Sequence, residues 1–295
     1  MAEILARGTD MPTAVVEDMF NAVRGHSALA KLATARPVAF NGNTVFVFNM
    51  DSEADIIAEN GAKSNGGGTA TPVNVVPVKM EYGMRVSDEF MRGSEEYRMR
   101  VTEDFVDGAA RKFARALDIG ALHGLNPRTM AASAVIGNNN FDAKIPNANK
   151  VTYAAGSEAA NLEAAIAKVE GTNGMALAPV FASALGNTVV GSMAVAPEFL
   201  FGGNPETFHG MRSDVNSTVA AVASGADAIY GYVGDFDAFR WGYASNVEFE
   251  VIEYGNPDNS NIGDLKGHNQ VYMRCEVYIG WGVLDGSAFA TIVAE

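Results

Sequence analysis

A mixed α+β fold is predicted, with one long helix and one long β-hairpin as its largest pieces. Three observations predict it. An amphipathic run opening at Ser94-Glu95-Glu96 keeps helical spacing for about 27 residues. Two alternating runs on either side of Gly66-Gly67-Gly68 read as strands, and near the C-terminus Val247, Phe249 and Val251 and then residues 271–279 alternate with period two. Glycine supplies 31 of 295 residues, above the usual share of about 7%, which suits many turns.

From the N-terminus, residues 11–33 read as helix. Pro12 suits a first turn, and Val15, Met19 and Val23 recur every fourth residue. Gly25 stops that run, and Ser27 caps a second short helix through Leu29 and Leu32. The pattern then turns to strand in Asn43–Asn49 and again in Val73–Tyr82. Between Val75 and Val76 the alternation slips, which predicts a β-bulge. Arms of ten to twelve residues would reach roughly 35–40 Å, farther than one domain can cover. A lone two-stranded ribbon is marginal in water, so this one predicts a second chain to pack against.

Ser87 is expected to cap a short turn at Asp88-Glu89-Phe90. The long helix buries Val101, Phe105, Ala109, Phe113, Ala116 and Leu117 and ends at Gly120 or Gly124. Its acids (Glu95, Glu96, Glu103, Asp104) precede its cations (Arg111, Lys112, Arg115), matching the helix dipole. Residues 125–155 read as loop, and Ser157–Glu170 as helix on Leu162, Ile166 and Val169. Residues 172–245 mix short strands with turns. Three strands close the chain: one around Val247, Phe249 and Val251, one over 271–279, and one at Ala288–Val293.

Composition excludes several functions. A net charge of −14 argues against a surface built to neutralise phosphate. The single cysteine, Cys275, excludes an internal disulfide framework, and its alternation with Met273 and Val277 places it in a core. The uncharged stretch 171–197 carries Asn173, Pro179 and Asn187, so it is no continuous membrane span. The four histidines, His26, His123, His209 and His268, have no metal-ligand spacing; His123 sits where a helix C-terminus favours a cation. Asp235/Asp237 and Glu95/Glu96 read as caps and solvated acids. No nucleophile elbow, phosphate loop or dinucleotide fingerprint occurs, so neither catalysis nor a cofactor is expected.

The order of the pieces then resembles a known family. Met11-Pro12 with its helix, Val86-Ser87-Asp88-Glu89-Phe90 before the long helix, Gly234-Asp235-Phe236-Asp237-Ala238-Phe239-Arg240-Trp241-Gly242, Asn269-Gln270-Val271 through Glu276, and Ala288-Phe289-Ala290-Thr291-Ile292 carry the resemblance. It is to the major capsid proteins of tailed bacteriophages, with the Hong Kong 97-like shell fold. The resemblance implies an N-terminal arm (1–35), an extended loop (36–84), a peripheral domain (85–130 with 246–295) and an axial domain (131–245). It implies an icosahedral shell built from pentamers and hexamers of this chain, enclosing double-stranded DNA without sequence-specific contacts. That places the protein in the virion after assembly in the host cytoplasm.

The resemblance also sets expectations for individual residues and partners. Contacts between subunits are expected at the loop tip, at Glu59, Lys63 and Asn65. Some family members join a hairpin lysine to a neighbour's asparagine. Here that bond would need Lys63 with Asn256, Asn259 or Asn261 and a buried carboxylate among Glu250, Glu253 and Asp264. An ordinary ion pair or a solvated Lys63 is the preferred expectation. Because the arm follows Met1 almost directly, a separate scaffold protein or none is expected, beside portal and decoration proteins. The alternatives are an encapsulin-type compartment, another phage structural part, or a soluble enzyme.

Overall fold

A computed structural model describes residues 23, 26–50, 52–190, 192–222, 228–244 and 248–294. The helix expected before Gly25 therefore lies outside the described residues, as do Asn246 and Val247. Helix α1 (Ala28–Leu32) starts at Ser27, whose hydroxyl accepts from the Ala30 amide as expected of a cap. Strand β1 (Asn43–Met50) is followed by β2 (Gly68–Ser87), a strand of 20 residues. Ser87 Oγ accepts from the Glu89 amide and leads into α2 (Glu89–Arg92).

The long helix is α3 (Glu95–His123), 29 residues from its Ser94 cap to Gly124. Gly124 takes a left-handed φ of 68°, and a Cβ there would strike Asn140 at 2.5 Å, so both backbone and space require glycine. Short pieces follow where loop was expected: β3 (Leu125–Asn126), β4 (Ala131–Ala132), α4 (Phe141–Lys144) and β5 (Lys150–Thr152). Helix α5 (Glu158–Ile166) is shorter than expected, because its last apolar residue, Val169, lies in a turn instead.

The next elements are β6 (Gly174–Leu177), α6 (Pro179–Gly186), β7 (Val189–Val190), β8 (Met193–Ala194), β9 (Thr207–Phe208), β10 (Met211–Val215), β11 (Ile229–Gly234) and β12 (Phe239–Tyr243). Three strands close the chain, β13 (Glu248–Ile252), β14 (Gln270–Val283) and β15 (Phe289–Val293).

Two sheets organise these pieces. One runs β1-β2-β14-β12, with β13 also paired to β14; the other runs β5-β15-β11-β6-β10-β9. The first is antiparallel throughout and lays Met80, Val277, Cys275 and Met273 toward Phe105, Ala109 and Phe113 of α3. Cys275 is fully buried there, and burial pushes its thiol up to about 12, so it is a small core hydrophobe. An aromatic cluster of Phe141, Phe236, Phe239, Phe289 and Tyr232 joins the two sheets. The sheets do not divide at residue 245: β12 pairs with β14, and β15 pairs with β11.

The expected β-bulge is absent. The register of β2 with β1 is regular up to Val75, and that with β14 is regular from Val76 onward. The slip in alternation marks a change of partner: Val75 still faces the core while Val76 is exposed. The paired arms are also shorter than expected, eight residues each, or about 27 Å.

Candidate intersubunit surface

The ribbon of β1 with residues 68–75 leaves large apolar side chains uncovered. Its register puts Phe46, Phe48 and Met50 on one face, opposite Pro72, Ala70 and Gly68. All three large side chains are exposed, Phe48 by 70% and Met50 by 79%. Covering such a side chain fully is worth roughly 1.5–3 kcal/mol, so the strip is costly for a subunit left alone. At the root, Phe40 packs edge-on against Tyr278 at 5.0 Å, and Thr44 donates to Asn74 Oδ1 at 2.9 Å.

Beyond the ribbon, residues 52–67 form a tip with no strand or helix and every residue exposed. Ser52 Oγ accepts from the Gly67 amide at 3.2 Å and ties the two ends together. Ile56 is 99% exposed. Glu59 stands in a turn, while Lys63 and Asn65 lie in extended coil; among the described residues Lys63 has no ion-pair partner. A second exposed apolar set lies on the segment 180–201, with Val180, Val189, Val190, Met193 and Phe201.

Asn256, Asn259 and Asn261 stand at the other end of β2. Arg85 organises their loop: it donates to both Asp258 oxygens (2.9 and 2.6 Å), to Asn256 Oδ1 (2.6 Å) and to the Gly263 carbonyl (2.8 Å). The guanidinium holds the Asp258 carboxyl well below the usual carboxylate range. The Asn256 carboxamide is engaged on both sides, since its nitrogen also donates to the Ser260 carbonyl. Glu250, Glu253 and Asp264 are not buried. Seventeen residues of β2 separate Gly68 from Arg85, about 55 Å along the strand, so one chain does not bring Lys63 and these asparagines together.

Sequence reasoning missed a buried polar chain inside the body. Asp118 is fully buried and accepts from Ser27 Oγ (2.5 Å), the Ala28 and Leu29 amides (2.9 and 3.2 Å) and Thr218 Oγ1 (2.7 Å). Burial outweighs those donors and pushes its carboxyl up to about 6. The Thr218 carbonyl faces His123 Nε2 at 3.1 Å, and His123 Nδ1 meets Asp142 Oδ2 at 2.8 Å. Tyr232 donates to the other Asp142 oxygen at 2.5 Å, and burial beside that carboxylate raises its phenol well above the ordinary value. Both ring nitrogens of His123 face oxygen atoms, so the ring links α3 to α4 and to the Thr218 backbone.

The chain ties α1 to α3, α4 and β11. The one signal for it in the sequence is an acid, Asp118, inside the otherwise apolar run from Leu117 to Leu122. Asp235 is a cap, accepting from the Asp237 amide and from Asn173 Nδ2. Among the described residues no cluster of three His, Cys, Asp or Glu could hold a metal, and no helix is long and apolar enough to cross a membrane.

Comparison with known proteins meets this geometry. The model of the phage capsid family matches residues 8–294. A solved structure from Mycobacterium phage Ogopogo is 30% identical, with TM-score 0.76 over 92% of each chain. One from Gordonia phage Cozz is 25% identical, with TM-score 0.70 over 90% of this chain and 86% of that one. The capsid of the native GTA particle shares the fold at 16% identity, with TM-score 0.61 over 100% of this chain and 94% of that one. A search of curated proteins finds no match. A ribbon too exposed to stand alone and these likenesses lead to one conclusion: the chain belongs to the phage capsid family and is a major capsid protein with the Hong Kong 97-like fold.

Proposed function

We propose that this capsid protein closes its shell by laying the β1–β2 ribbon and its tip across the neighbouring subunit. The exposed strip Phe46, Phe48 and Met50 is the observation that carries this reading. Contacts of this kind are heterologous and close by rotation, giving pentamers and hexamers. In this reading the arm (1–35), extended loop (36–84), peripheral domain (85–130 with 246–295) and axial domain (131–245) keep their separate roles. The segment 180–201 turns its apolar residues toward copies around each axis. The acidic chain encloses double-stranded DNA without gripping it, within a virion assembled in the host cytoplasm. A portal and decoration proteins complete the particle.

Lys63 makes ion pairs here and no covalent bond. In support, the Asn256 carboxamide is already engaged and none of Glu250, Glu253 and Asp264 is buried. Expression of the chain alone, with negative-stain microscopy, tests the assembly: closed shells are expected, and monomers or small oligomers under all conditions would refute it. Boiled in SDS, the shells should run as a single band near 31 kDa; a ladder of multiples would restore the covalent bond.

A further inference from the structure

Four Asn-Gly steps occur in the chain: Asn41-Gly42, Asn60-Gly61, Asn65-Gly66 and Asn173-Gly174. In each, a backbone nitrogen follows directly on an asparagine carboxamide. Glycine has no Cβ, so that nitrogen is open to approach and its backbone turns freely. Attack of the nitrogen on the carboxamide carbon closes a five-membered ring. Three things oppose it: a hydrogen bond holding the glycine N–H, hydrogen bonds holding the carboxamide, and a backbone fixed in a strand.

The structure separates the four steps on these grounds. At Asn173 the Oδ1 accepts from the Phe236 amide at 2.9 Å, the Nδ2 donates to Asp235, and Gly174 is buried in β6 between β10 and β11. At Asn41 the Gly42 amide donates to the Ala39 carbonyl at 2.8 Å, and at Asn60 the Gly61 amide donates to the Ala58 carbonyl at 2.8 Å. Asn65 differs on every count. It lies exposed in coil, and among the described residues neither its carboxamide nor the Gly66 amide makes a hydrogen bond. Ser52 Oγ holds the next amide, that of Gly67, at 3.2 Å, so the tie across the tip stops one residue short of the Asn65-Gly66 peptide.

We propose that Asn65 is a self-modifying site, converted by its own backbone to aspartate and isoaspartate in the unassembled subunit. The Gly66 nitrogen bonds to Asn65 Cγ, the Cγ–Nδ2 bond breaks, and the Gly66 proton leaves with the amide group as ammonia. Water then opens the succinimide at either carbonyl. One opening gives aspartate, and the other gives isoaspartate, with the backbone routed through the side chain. Water is the one co-reactant. The tip, which holds Glu53, Asp55 and Glu59 against Lys63, gains a further negative charge. This chemistry belongs to the free subunit and does not depend on where the ribbon lies in a shell.

Timed incubation of unassembled subunits in mildly alkaline buffer, followed by tryptic mass spectrometry, tests it. Cleavage after Lys63 and Lys79 separates Asn65 from the other three steps. Carboxamide loss at Asn65 should run at least about fivefold faster than at Asn41, Asn60 or Asn173, the factor that one hydrogen bond of about 1 kcal/mol gives. The rate should rise with pH, because the attacking nitrogen must shed its proton, and isoaspartate should accompany aspartate. Equal rates at Asn65, Asn60 and Asn41 overturn the proposal. Aspartate without isoaspartate overturns it too, since water would then attack the carboxamide directly. Gly66→Ala puts a methyl group beside the attacking nitrogen and meets only Ser52 Oγ, at 3.3 Å, the movable end of a side chain. That variant should lose the Asn65 carboxamide several-fold more slowly while Asn60 keeps its parent rate; an unchanged rate at Asn65 would count against the role of Gly66 and overturn the proposal.

Discussion

The two halves of β2 make the same backbone hydrogen bonds and live under different conditions. Residues 76–87 lie between β14 and α3: Met80 is buried, Tyr82 packs on Phe105 at 6.0 Å between ring centroids, and Lys79 pairs with Glu276 at 2.8 Å on the outer face. Among the described residues, 68–75 pair only with β1 and no helix covers them. The body half is held by β14 along one edge and by α3 over one face. The ribbon half has correct register and alternation but no layer, and strand pairing without cover is marginal. Extended structure is therefore easily specified and costly to leave uncovered, and Phe46 and Phe48 stand exposed on the half that lacks a covering layer among the described residues.

The contrast can be broken or sharpened by stability measurements on unassembled subunits. The largest effect is expected from Phe113→Ala, which empties a site in the body core and should cost about 3–5 kcal/mol in denaturant unfolding; a loss below about 1 kcal/mol would mean α3 is not seated on the sheet.

Next comes Asp118. Its folded value, about 6, lies above the unfolded value near 3.9, so the folded subunit holds the proton more tightly. The cost of the buried charge is complete above pH 6 and is relieved as pH falls from 6 toward 4, by about 3 kcal/mol. The parent should thus gain stability relative to Asp118→Asn between pH 7 and pH 4.5, and a difference that stays flat would show the charge is not desolvated.

Gly108→Ala should raise subunit stability by about 1 kcal/mol, since nothing within the chain opposes a Cβ there. The smallest effect belongs to the ribbon. Phe48→Ala should change subunit stability by less than about 0.5 kcal/mol while reducing shell yield in the electron microscope. A loss above about 1 kcal/mol would mean the ribbon is stabilised by its own chain.

Much of the fold was legible before any coordinates. Ser27 and Ser94 announced their helices because an N-cap hydroxyl satisfies an otherwise orphan amide. Cys275 announced its burial by alternating with Met273 and Val277. The hairpin was legible as too exposed for one chain. Its limits were not, because the slip at Val75/Val76 has the same signature whether a residue bulges out or the strand changes partner. The pairing of β12 with β14 and of β15 with β11 was equally hidden, since alternation identifies a strand and not its neighbour. The polar chain from Ser27 to Tyr232 was hidden for a related reason: its members lie far apart in sequence, and five of the six look ordinary where they stand.

Taken alone, the sequence determined what period and composition can determine: the long helix, the hairpin, an acidic chain with one inert thiol, and a family resemblance carried by the order of its elements. These are local quantities, set by which side chains share a face and which backbone groups need caps. Tertiary structure decided which strands meet, where β2 leaves its own body, which acid is buried against α1, and that Gly108 faces open space. Those depend on contacts between distant residues, whose free energies no single stretch of sequence contains.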